Sequence, residues 1–304
     1  GAILPKGVDT VVLQEDVTVV GSNITFEGSV KAGSNTRKAG EDVKQGDVAI
    51  MAGHVLRPPD LALLSALGID GVSDFETLRV GVISTGDELG PPGSTEDVAS
   101  TYDANRPMLL SRAARWGYQP VDLGHVGDNR ALLRDALDAA AQKCDVILTS
   151  GGASAGDEDH MSALLMEAGG LQMWRIAMKP GRPLALGLWQ GVPVFGLPGN
   201  PVAAFVCALN FARPACAVLS GAAWQDPVGF DVPASFEKKK KAGRREYLRA
   251  RITDTGQAEV FASEGSGRIS GLTWADGLVE LEDGARHVKP GDLVRFIPYG
   301  AFGL

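Results

Sequence analysis

The sequence contains few cysteines, histidines and aromatic residues. Its 304 residues include 3 cysteines and 4 histidines, and aromatic residues make up 6% of the chain. The cysteines (Cys144, Cys207 and Cys216) are odd in number and far apart, which argues against a disulfide framework or a CxxC metal site. We predict buried structural thiols. The histidines show no HExxH or other metal-binding spacing, so no histidine-based zinc site is predicted.

Long apolar runs and common nucleotide-binding motifs are missing as well. No stretch comes close to the ~20 apolar residues that a membrane-spanning helix needs, and the N-terminus has no signal pattern. The sequence has no Walker motif and no GxGxxG after a strand, so an ordinary NTPase or dinucleotide-binding function lacks support. We therefore expect a cytoplasmic protein that does not enter a membrane.

The charge balance is acidic. The chain has 37 acidic and 29 basic residues, for a net charge of −8. This balance opposes general nucleic-acid binding. Any anionic ligand would have to be bound by a local group of cations or backbone amides.

The first 77 residues differ from the rest of the chain. Short alternating segments predict a β-rich domain over residues 1–43, with strands at Thr10–Leu13, Val17–Val20 and Ile24–Val30. Because this region begins in mid-pattern and without Met, we expect its N-terminal part to be missing. Residues 44–77 predict a connecting subdomain with a strand over residues 48–51 and a helix at Pro59–Leu67.

Residues 78–223 show the pattern of an α/β sheet with helices on both faces. The predicted strands are Arg79–Ser84, Gln119–Val126, Asp145–Ser150, Leu171–Met178, Pro183–Leu188 and Pro193–Leu197, and the predicted helices are Asn105–Trp116, Asn129–Lys143, Asp159–Ala168 and Pro201–Ser220. Ligands of such sheets bind beyond the carboxyl ends of the strands. Residues 224–304 predict a small β-barrel or sandwich, in which the run Lys238–Lys241 is interpreted as a solvated hairpin tip.

The segment Ser84-Thr85-Gly86-Asp87-Glu88 directly follows the first strand of this region. Gly86 allows a sharp turn, and the two carboxylates after it emerge at the edge of the sheet. There they could bind Mg²⁺ or orient a polar substrate. An ordinary βα turn with a capping Asp would give the same pattern.

The segment Ser150–Asp159 (SGGASAGDED) follows another apolar strand. Its glycines and serines leave backbone N–H groups accessible to a phosphate. The three carboxylates at its end would repel a phosphate unless a divalent cation lay between them. We therefore predict Mg²⁺ bridging carboxylate and phosphate oxygens, with a plain helix cap as the alternative.

Two proline-containing segments complete the set of motifs. Arg175, Lys179 and Arg182 place three cations on a stretch stiffened by prolines, which predicts an anion-binding edge, although ordinary surface charge is the alternative. In Gly196–Pro201 (GLPGNP), Asn200 can cap the following apolar helix, and the exposed amides could hold a phosphate or a heterocycle. Together, the motifs predict an anion- and Mg²⁺-binding α/β enzyme.

Taken in order, these motifs closely resemble those of the molybdopterin molybdenumtransferase (MoeA) family, which includes the E domain of gephyrin. The resemblance is carried by STGDE (84–88), Asp103 with Asn105, SGGASAGDED (150–159), MKPGRP (178–183), GLPGNP (196–201) and AGED (39–42) preceded by Arg37. It implies a three-layer, MogA-like molybdopterin-binding domain over residues 78–223 and a β-barrel over 224–304. It also implies an elongated homodimer, with residues 44–77 in the dimerisation subdomain and the active site in the interdomain cleft.

The resemblance also implies roles for individual residues. The implied catalytic residues are Glu88, Asp128, Asp159 and, across the dimer, Asp42, and the implied metal ligands are Glu88, Asp157 and Asp159. The implied cofactor-binding residues are Thr85, Gly86, Asp87, Ser150, Gly151, Gly152, Ser154, Lys179, Pro180, Gly181, Pro198, Gly199 and Asn200. The implied molybdate contacts are Arg175, Arg182, Pro183, Arg244 and Ser266. The family often has Lys where Arg175 and Arg182 stand, a change that keeps the charge and adds bidentate capacity.

The activity implied by the resemblance is insertion of molybdate into adenylylated molybdopterin. Cations hold molybdate, Mg²⁺ and carboxylates orient the phosphates, the dithiolene sulfurs capture molybdenum, and AMP leaves by hydrolysis. The implied protein partner is the molybdopterin adenylyltransferase. One alternative activity is the adenylylation of molybdopterin by a MogA-type enzyme, although that family tends to have GGTG where this chain has Gly151-Gly152-Ala153-Ser154. A non-catalytic, gephyrin-like scaffold is the other, and a linker to a second enzymatic domain would indicate it.

Overall fold

The structure is a computed structural model that describes residues 2–93, 100–151, 160–170 and 173–303. Asp157, Asp159, Gly152 and Ser154, which the sequence assigns to the site, lie outside these ranges. The chain divides into two compact units, Gly1–Val72 and Ser73–Leu304.

The first unit is built mainly from loops. Its regular elements are β1 (Val17–Val20), β2 (Asn23–Phe26) and α1 (Pro58–Ala66), with a short 3-10 helix at Gln14–Asp16. Strands β1 and β2 form an antiparallel hairpin. Helix α1 begins with a proline, and Asp60 in its first turn accepts a 2.8 Å hydrogen bond from the Arg57 backbone N–H. This confirms the strand predicted at Val17–Val20 and the helix predicted at Pro59–Leu67.

Two strands predicted in this unit are wrong. Thr10–Leu13 and residues 48–51 form loops, and β2 ends at Phe26 instead of Val30. The chain turns at Gly28, whose φ of 89° is left-handed and interrupts an extended strand. At Val11, the backbone N–H donates to Ser34 across a loop and not to a neighbouring strand. Alternation of apolar residues was therefore insufficient evidence for a strand here.

The second unit begins with an α/β layer structure. Its elements are β3 (Arg79–Thr85), β4 (Leu89–Gly90), β5 (Thr101–Tyr102), α2 (Asn105–Arg115), β6 (Gln119–Val126), α3 (Arg130–Ala141), β7 (Val146–Ser150), α4 (His160–Glu167), β8 (Met173–Arg175), β9 (Met178–Lys179), β10 (Pro183–Trp189), β11 (Val192–Leu197), α5 (Pro201–Cys207) and α6 (Arg213–Leu219). The main sheet has the order β6-β3-β7-β11-β10-β8. Its first four strands are parallel, whereas β10 pairs antiparallel with both β11 and β8. Parallel strands need buried faces, which explains the nearly continuous apolar residues of β3 and β7.

Apolar side chains pack on both faces of this sheet, which confirms the predicted three layers. On one face Leu109 of α2 and Phe205 of α5 pack with Val80 and Leu148 of the sheet. On the other face, Leu137 of α3 packs against side chains of helix α4 and against the side chains of β3 and β7 that point to this face. Strands β3 and β7 therefore lie in the centre of the core, and their carboxyl ends are held firmly by packing on both sides.

One helical segment corrects the expectation that no part of the chain is long and apolar enough to span a membrane. A short π-helical segment, Ala208–Ala212, joins α5 to α6. The resulting Pro201–Leu219 run has the length and mean hydropathy, 1.8, of a membrane-spanning helix, and 61% of it is buried inside the protein. Core helices pass the same test, so this helix alone is weak evidence for a membrane segment.

The C-terminal part is a β-barrel, as the family resemblance implied, whereas the sequence pattern had left a sandwich open. Its elements are β12 (Phe230–Pro233), β13 (Lys238–Lys240), β14 (Arg245–Ile252), β15 (Ala258–Val260), α7 (Ser270–Trp274), β16 (Gly277–Leu281), β17 (Arg286–Val288) and β18 (Leu293–Pro298). The main sheet has the order β12-β18-β16-β14-β15. A bridge between Ala234, just after β12, and Ala258 of β15 joins the first and last strands. Leu248, Val279 and Phe296 fill the interior.

A short strand from the α/β part of the sequence belongs to the barrel sheet. Strand β9 pairs in parallel with β14, so that Met178 lies opposite Arg245 and Lys179 opposite Glu246. The predicted strand Leu171–Met178 is therefore two strands that belong to different sheets. This shared pairing brings the segment around Lys179 onto the barrel.

Candidate active site

The carboxyl ends of the four parallel strands carry many of the predicted site residues. Thr85 ends β3 and is followed by Gly86–Glu88, Asp128 follows β6, Ser150 ends β7 and is followed by Gly151, and residues 198–200 follow β11. These strands are neighbours in the sheet, so the four segments meet at one edge. Asp87, Glu88 and Asp128 are exposed, whereas Thr85 and Ser150 are buried beneath them. The edge therefore has a carboxylate rim above a polar floor.

Asp87 and Asp128 tie the ends of β3 and β6 together. The Asp128 backbone N–H donates to Asp87 Oδ1 at 2.8 Å, and the Asp87 backbone N–H donates to Asp128 Oδ2 at 3.2 Å. His125 Nε2 also contacts the Gly86 carbonyl oxygen at 2.7 Å. Each carboxylate keeps one oxygen outside this reciprocal pair, which leaves an oxygen donor available to a cation.

Glycine is needed at two positions of this edge, because neighbouring atoms lie where a Cβ would stand. Gly86 has a φ of 131°, and a Cβ there would collide with the Glu88 carboxylate, which folds back over the turn. Gly151 has a φ of 95°, and a Cβ there would meet the Thr85 carbonyl oxygen at 2.5 Å. A side chain at Gly151 would push the ends of β3 and β7 apart, and one at Gly86 would displace the Glu88 carboxylate.

Asn105, at the start of α2, joins the ends of β7 and β11. Its Nδ2 donates to Ser150 Oγ at 2.7 Å and to the Gly199 carbonyl oxygen at 2.6 Å. A carbonyl oxygen can only accept, so the atom facing Gly199 must be the amide nitrogen. The sequence pointed to Asn105 as part of a motif, and the structure supplies its contacts.

Asp103 and Arg106 hold the start of α2 against the sheet. Asp103 accepts bonds from the Arg106 backbone N–H at 3.1 Å and from Arg106 Nε at 3.0 Å, while Arg106 Nη1 donates to both oxygens of Asp122 at 2.8 Å. Burial opposes ionisation of Asp103, but bonds from Arg106 and from Ser84 outweigh it and lower the pKa of Asp103. Hydrogen bonding to Arg106 likewise lowers the pKa of Asp122.

The Lys179-Pro180-Gly181 segment packs on helix α5, next to the end of β11. Gly181 has a φ of 100°, and a Cβ there would collide with Cys207 Sγ in α5. Cys207 Sγ in turn lies 3.5 Å from the Gly181 carbonyl oxygen. The cationic segment is therefore held against helix α5, which follows the 198–200 loop.

A loop of the barrel, Ser263–Arg268, reaches the same place. The Val202 backbone N–H, in the first turn of α5, donates to the Ser266 carbonyl oxygen at 3.0 Å. Arg249, only 5% exposed, holds this loop by donating to the carbonyl oxygens of Ser263, Gly265 and Arg268. Burial lowers the pKa of Arg249. Nothing in the sequence near Arg249 indicated this role, because its partners are more than ten residues away.

Two lysines and two glutamates form an ion-pair cluster at this junction. Lys179 Nζ lies 2.6 Å from Glu264 Oε2, Lys238 Nζ contacts Glu264 Oε1, and Lys238 Nζ lies 3.0 Å from Glu246 Oε2. The side chain of Lys238 is only 10% exposed, and Lys240 donates to the carbonyl oxygens of Lys241 and Gly284. The interpretation of Lys238–Lys241 as a solvated hairpin tip is therefore wrong. The run forms strand β13, paired with β17, and its alternate lysines turn inwards.

A curated relative covers nearly the whole chain. The molybdopterin molybdenumtransferase of Haemophilus influenzae is 37% identical over 305 residues, which span 98% of this chain and 76% of the relative. This chain belongs to the molybdopterin molybdenumtransferase family. Gephyrin of Dictyostelium discoideum is 29% identical to 99% of the chain, which matches 47% of that protein. The chain is thus an enzyme with a role in molybdenum cofactor biosynthesis.

Three family models each match a different part of this chain. Residues 1–68 match the MoeA N-terminal region (domain I and II), residues 81–217 the probable molybdopterin binding domain, and residues 231–299 the MoeA C-terminal region (domain IV). The structure resembles that of a molybdopterin biosynthesis MoeA protein from Pyrococcus horikoshii OT3, with a TM-score of 0.80 and 28% identity over 98% of this chain and 74% of that one. The matches on both flanks favour molybdenumtransferase over the rival MogA-like assignment.

The predicted molybdate contacts are less tightly grouped than the other site residues of this molybdenumtransferase chain. Arg175, on β8, pairs with Pro183 on β10 at the far edge of the sheet. Arg182 and Arg244 are exposed, and Arg244 directly precedes β14. Asp42 lies in the first unit, in an exposed bend. The roles of these residues stay predictions.

The metal site also stays a prediction. Within the described ranges, no group of three or more His, Cys, Asp or Glu side chains has the geometry to hold a metal ion. Two of its three predicted ligands, Asp157 and Asp159, lie in the undescribed 152–159 segment. Glu88, Asp87 and Asp128 offer carboxylate oxygens at the adjoining edge, which is the donor type that Mg²⁺ prefers.

Proposed function

We propose that this chain inserts molybdate into the dithiolene of adenylylated molybdopterin and releases AMP. The observation that carries the proposal is the continuity of the site. The carboxylate rim at β3 and β6 leads through the Ser150–Gly151 and 198–200 segments to the first turn of α5, where Lys179 and the Ser266 loop meet. A long ligand with a pterin, a pyrophosphate and an adenosine needs such an extended track.

The carboxylate rim suits the phosphate end of this ligand when Mg²⁺ is bound. We infer that Glu88, Asp157 and Asp159 would hold Mg²⁺, that Asp128 would act beside them as a catalytic carboxylate, and that Asp87 would orient the ligand. The reciprocal Asp87–Asp128 bonds fix both side chains before any ligand arrives, which lowers the entropic cost of assembling the site. Bound Mg²⁺ would neutralise pyrophosphate charge during AMP release.

The segments Ser150–Gly151 and 198–200 suit the middle of the ligand. They lie at the carboxyl ends of β7 and β11, where ligands of such sheets bind. Asn105 fixes the distance between the two segments through its two short hydrogen bonds. We assign Thr85, Gly86, Pro198, Gly199 and Asn200, with Gly152 and Ser154, to ligand binding.

The cations of the predicted site suit molybdate, which is an anion. Lys179, together with Arg175, Arg182 and Arg244, would supply positive charge, and Pro180, Gly181, Pro183 and Ser266 would shape the pocket. We add Lys238 to this group, because its ammonium shares Glu264 with Lys179. Dithiolene sulfurs of the ligand would then replace molybdate oxygens, so that no protein thiol is needed. The burial of Cys144, Cys207 and Cys216 agrees with this.

Assembly and partners belong to the same proposal. We infer a homodimer in which Asp42 reaches the site of the partner subunit, and transient contact with the molybdopterin adenylyltransferase that makes the substrate. The domain bounds 1–43, 44–77, 78–223 and 224–304 and the cytoplasmic location also remain proposals.

The test is molybdate- and Mg²⁺-dependent AMP release from adenylylated molybdopterin by this chain. Glu88→Gln and Asp128→Asn each remove one carboxylate charge with little change in volume. We expect either variant to lower kcat at least ~100-fold, because each interaction acts on the reacting phosphates. Asp135→Asn, an exposed change on α3, is the matched control and should keep full activity. Full activity of both site variants would refute the assignment of this edge.

A further inference from the structure

In the ion-pair cluster of Lys179, Lys238, Glu246 and Glu264, the lysines already bind an anion, the carboxylate of Glu264. Its two oxygens are divided between two lysines: Oε2 contacts Lys179 and Oε1 contacts Lys238. These lysines come from different parts of the chain, one from β9 and the other from β13. Glu264 thus bridges them as a tetrahedral oxyanion would.

The cluster borders a cavity that could receive such an oxyanion. The cavity, about 180 Å³, is lined by Lys179, Pro180, Val202 and Glu264, among others. A molybdate dianion entering it would meet the Glu264 carboxylate as a like charge at close range. The two anions cannot share the same lysine hydrogens.

We propose that Glu264 is a built-in competitor of the oxyanion, and that molybdate binds by displacing its carboxylate from Lys179. This inference rests on the proposed function, since it concerns the same molybdate pocket. It assigns to Glu264 a role that weakens oxyanion binding, in contrast to the cations around it.

The displacement is confined to a side chain. Arg249 holds the carbonyl oxygens of Ser263 and Gly265, which flank Glu264 in the chain. The loop backbone is therefore fixed, whereas the Glu264 side chain is 45% exposed and has space to rotate into water. Rotation of one side chain is faster and costs less free energy than opening a loop.

The lysines respond differently to the loss of Glu264. Lys238 keeps a second partner, since its ammonium lies 3.0 Å from Glu246 Oε2 in a nearly buried pair. In the described part of the chain Lys179 has no other carboxylate within ion-pair distance. Lys179 therefore becomes the free cation that the oxyanion takes, while Lys238 stays anchored beside it.

Glu264→Gln tests this directly, because glutamine keeps the size and removes the charge. Calorimetric titration with molybdate at neutral pH and constant ionic strength should show about tenfold tighter binding than the unmodified protein, the scale of one charge-assisted hydrogen bond. Thermal unfolding of each variant confirms that it is folded. The gain should vanish in Glu264→Gln/Lys179→Met, because the cation that Glu264 blocks is then gone.

Glu237→Gln is the matched control. Glu237 lines the same cavity, but its carboxylate contacts His287 Nε2 at 2.7 Å instead of a lysine. Removing its charge should change molybdate affinity less than about twofold. Equal gains in Glu237→Gln and Glu264→Gln would show a general charge effect and overturn the competitor role.

The remaining outcomes separate this inference from the proposed function. Equal or weaker molybdate binding by Glu264→Gln, with clear binding by the unmodified protein, would overturn the competitor role and leave the transferase proposal standing. Absence of molybdate binding in the unmodified protein and in every variant would overturn both the competitor role and the molybdate pocket.

Discussion

Asn105 Nδ2 donates to the Gly199 carbonyl oxygen at 2.6 Å, across 94 residues of sequence. The same nitrogen donates to Ser150 Oγ at 2.7 Å, and Asn105 is only 6% exposed. One buried amide therefore sets the spacing between the loops that follow β7 and β11. Since both loops are assigned to ligand binding, this spacing connects the packing of α2 with the shape of the site.

Replacing Asn105 should impair ligand binding more than turnover. Asn105→Asp places a carboxylate oxygen against the Gly199 carbonyl, so we expect a loss of about 2 kcal/mol in unfolding free energy. The KM for adenylylated molybdopterin should rise several-fold, with a smaller fall in kcat. Urea unfolding and steady-state kinetics measure the two effects.

Asn210→Ala is the control for this prediction. Asn210 Nδ2 also donates to a backbone carbonyl, that of Val206 at 2.8 Å, but within the helical run and away from the loops. It should lose stability without a change in KM. If Asn105→Asp behaved in the same way, its role would be structural only.

Arg249 should be essential for the Ser263–Arg268 loop. Arg249→Met removes the buried donor of three carbonyl oxygens while keeping an unbranched side chain. We expect a loss of about 3 kcal/mol in unfolding free energy, because buried groups are left without partners. Molybdate affinity should also fall, since Ser266 is no longer held beside α5. Denaturant unfolding with unchanged midpoint would contradict this role.

Asp103 should make stability depend on pH. Its pKa is lowered in the folded state, so its charged form stabilises the protein above the ordinary carboxyl pKa of about 3.9. This contribution is lost as the pH falls through the lower folded-state pKa. Asp103→Asn should therefore be less stable than the unmodified protein near neutral pH, and the difference should shrink below about pH 4. A difference independent of pH would show that the charge of Asp103 is irrelevant.

The three thiols should be unreactive in the folded protein. Cys144, Cys207 and Cys216 are buried, and burial raises the pKa of each, that of Cys216 to about 12. Because the thiolate is the reactive form, a disulfide reagent such as DTNB should react only after denaturation. Rapid reaction of any thiol under native conditions would contradict the burial described for it.

Local patterns were sufficient for most of the central sheet. The strand Gln119–Val126 coincides with its predicted bounds, and those predicted at Arg79–Ser84, Asp145–Ser150, Pro183–Leu188 and Pro193–Leu197 each differ from the observed strand by one residue at one end. The strand predicted at Leu171–Met178 was split because Met178 pairs with β14, which lies more than sixty residues further along the chain. Local periodicity contains no information about such a pairing.

The site could be predicted only in part, for the same reason. The glycine and carboxylate motifs were visible because strand ends carry them in sequence order. The roles of Lys238, Glu264 and Arg249 depend on contacts between distant segments, so the sequence pattern could not indicate them. Lys238 was even taken for a surface residue, since a run of lysines is usually solvated.

The most direct test of the transferase account is the ratio of AMP released to molybdenum bound by the pterin dithiolene. Adenylylated molybdopterin and molybdate would be incubated with the protein, AMP measured by chromatography, and pterin-bound molybdenum by elemental analysis of the same samples. The account predicts that the two amounts rise together in a constant one-to-one ratio, and that neither appears without molybdate. AMP release that continues unchanged without molybdate, with no molybdenum bound to the pterin, would contradict it.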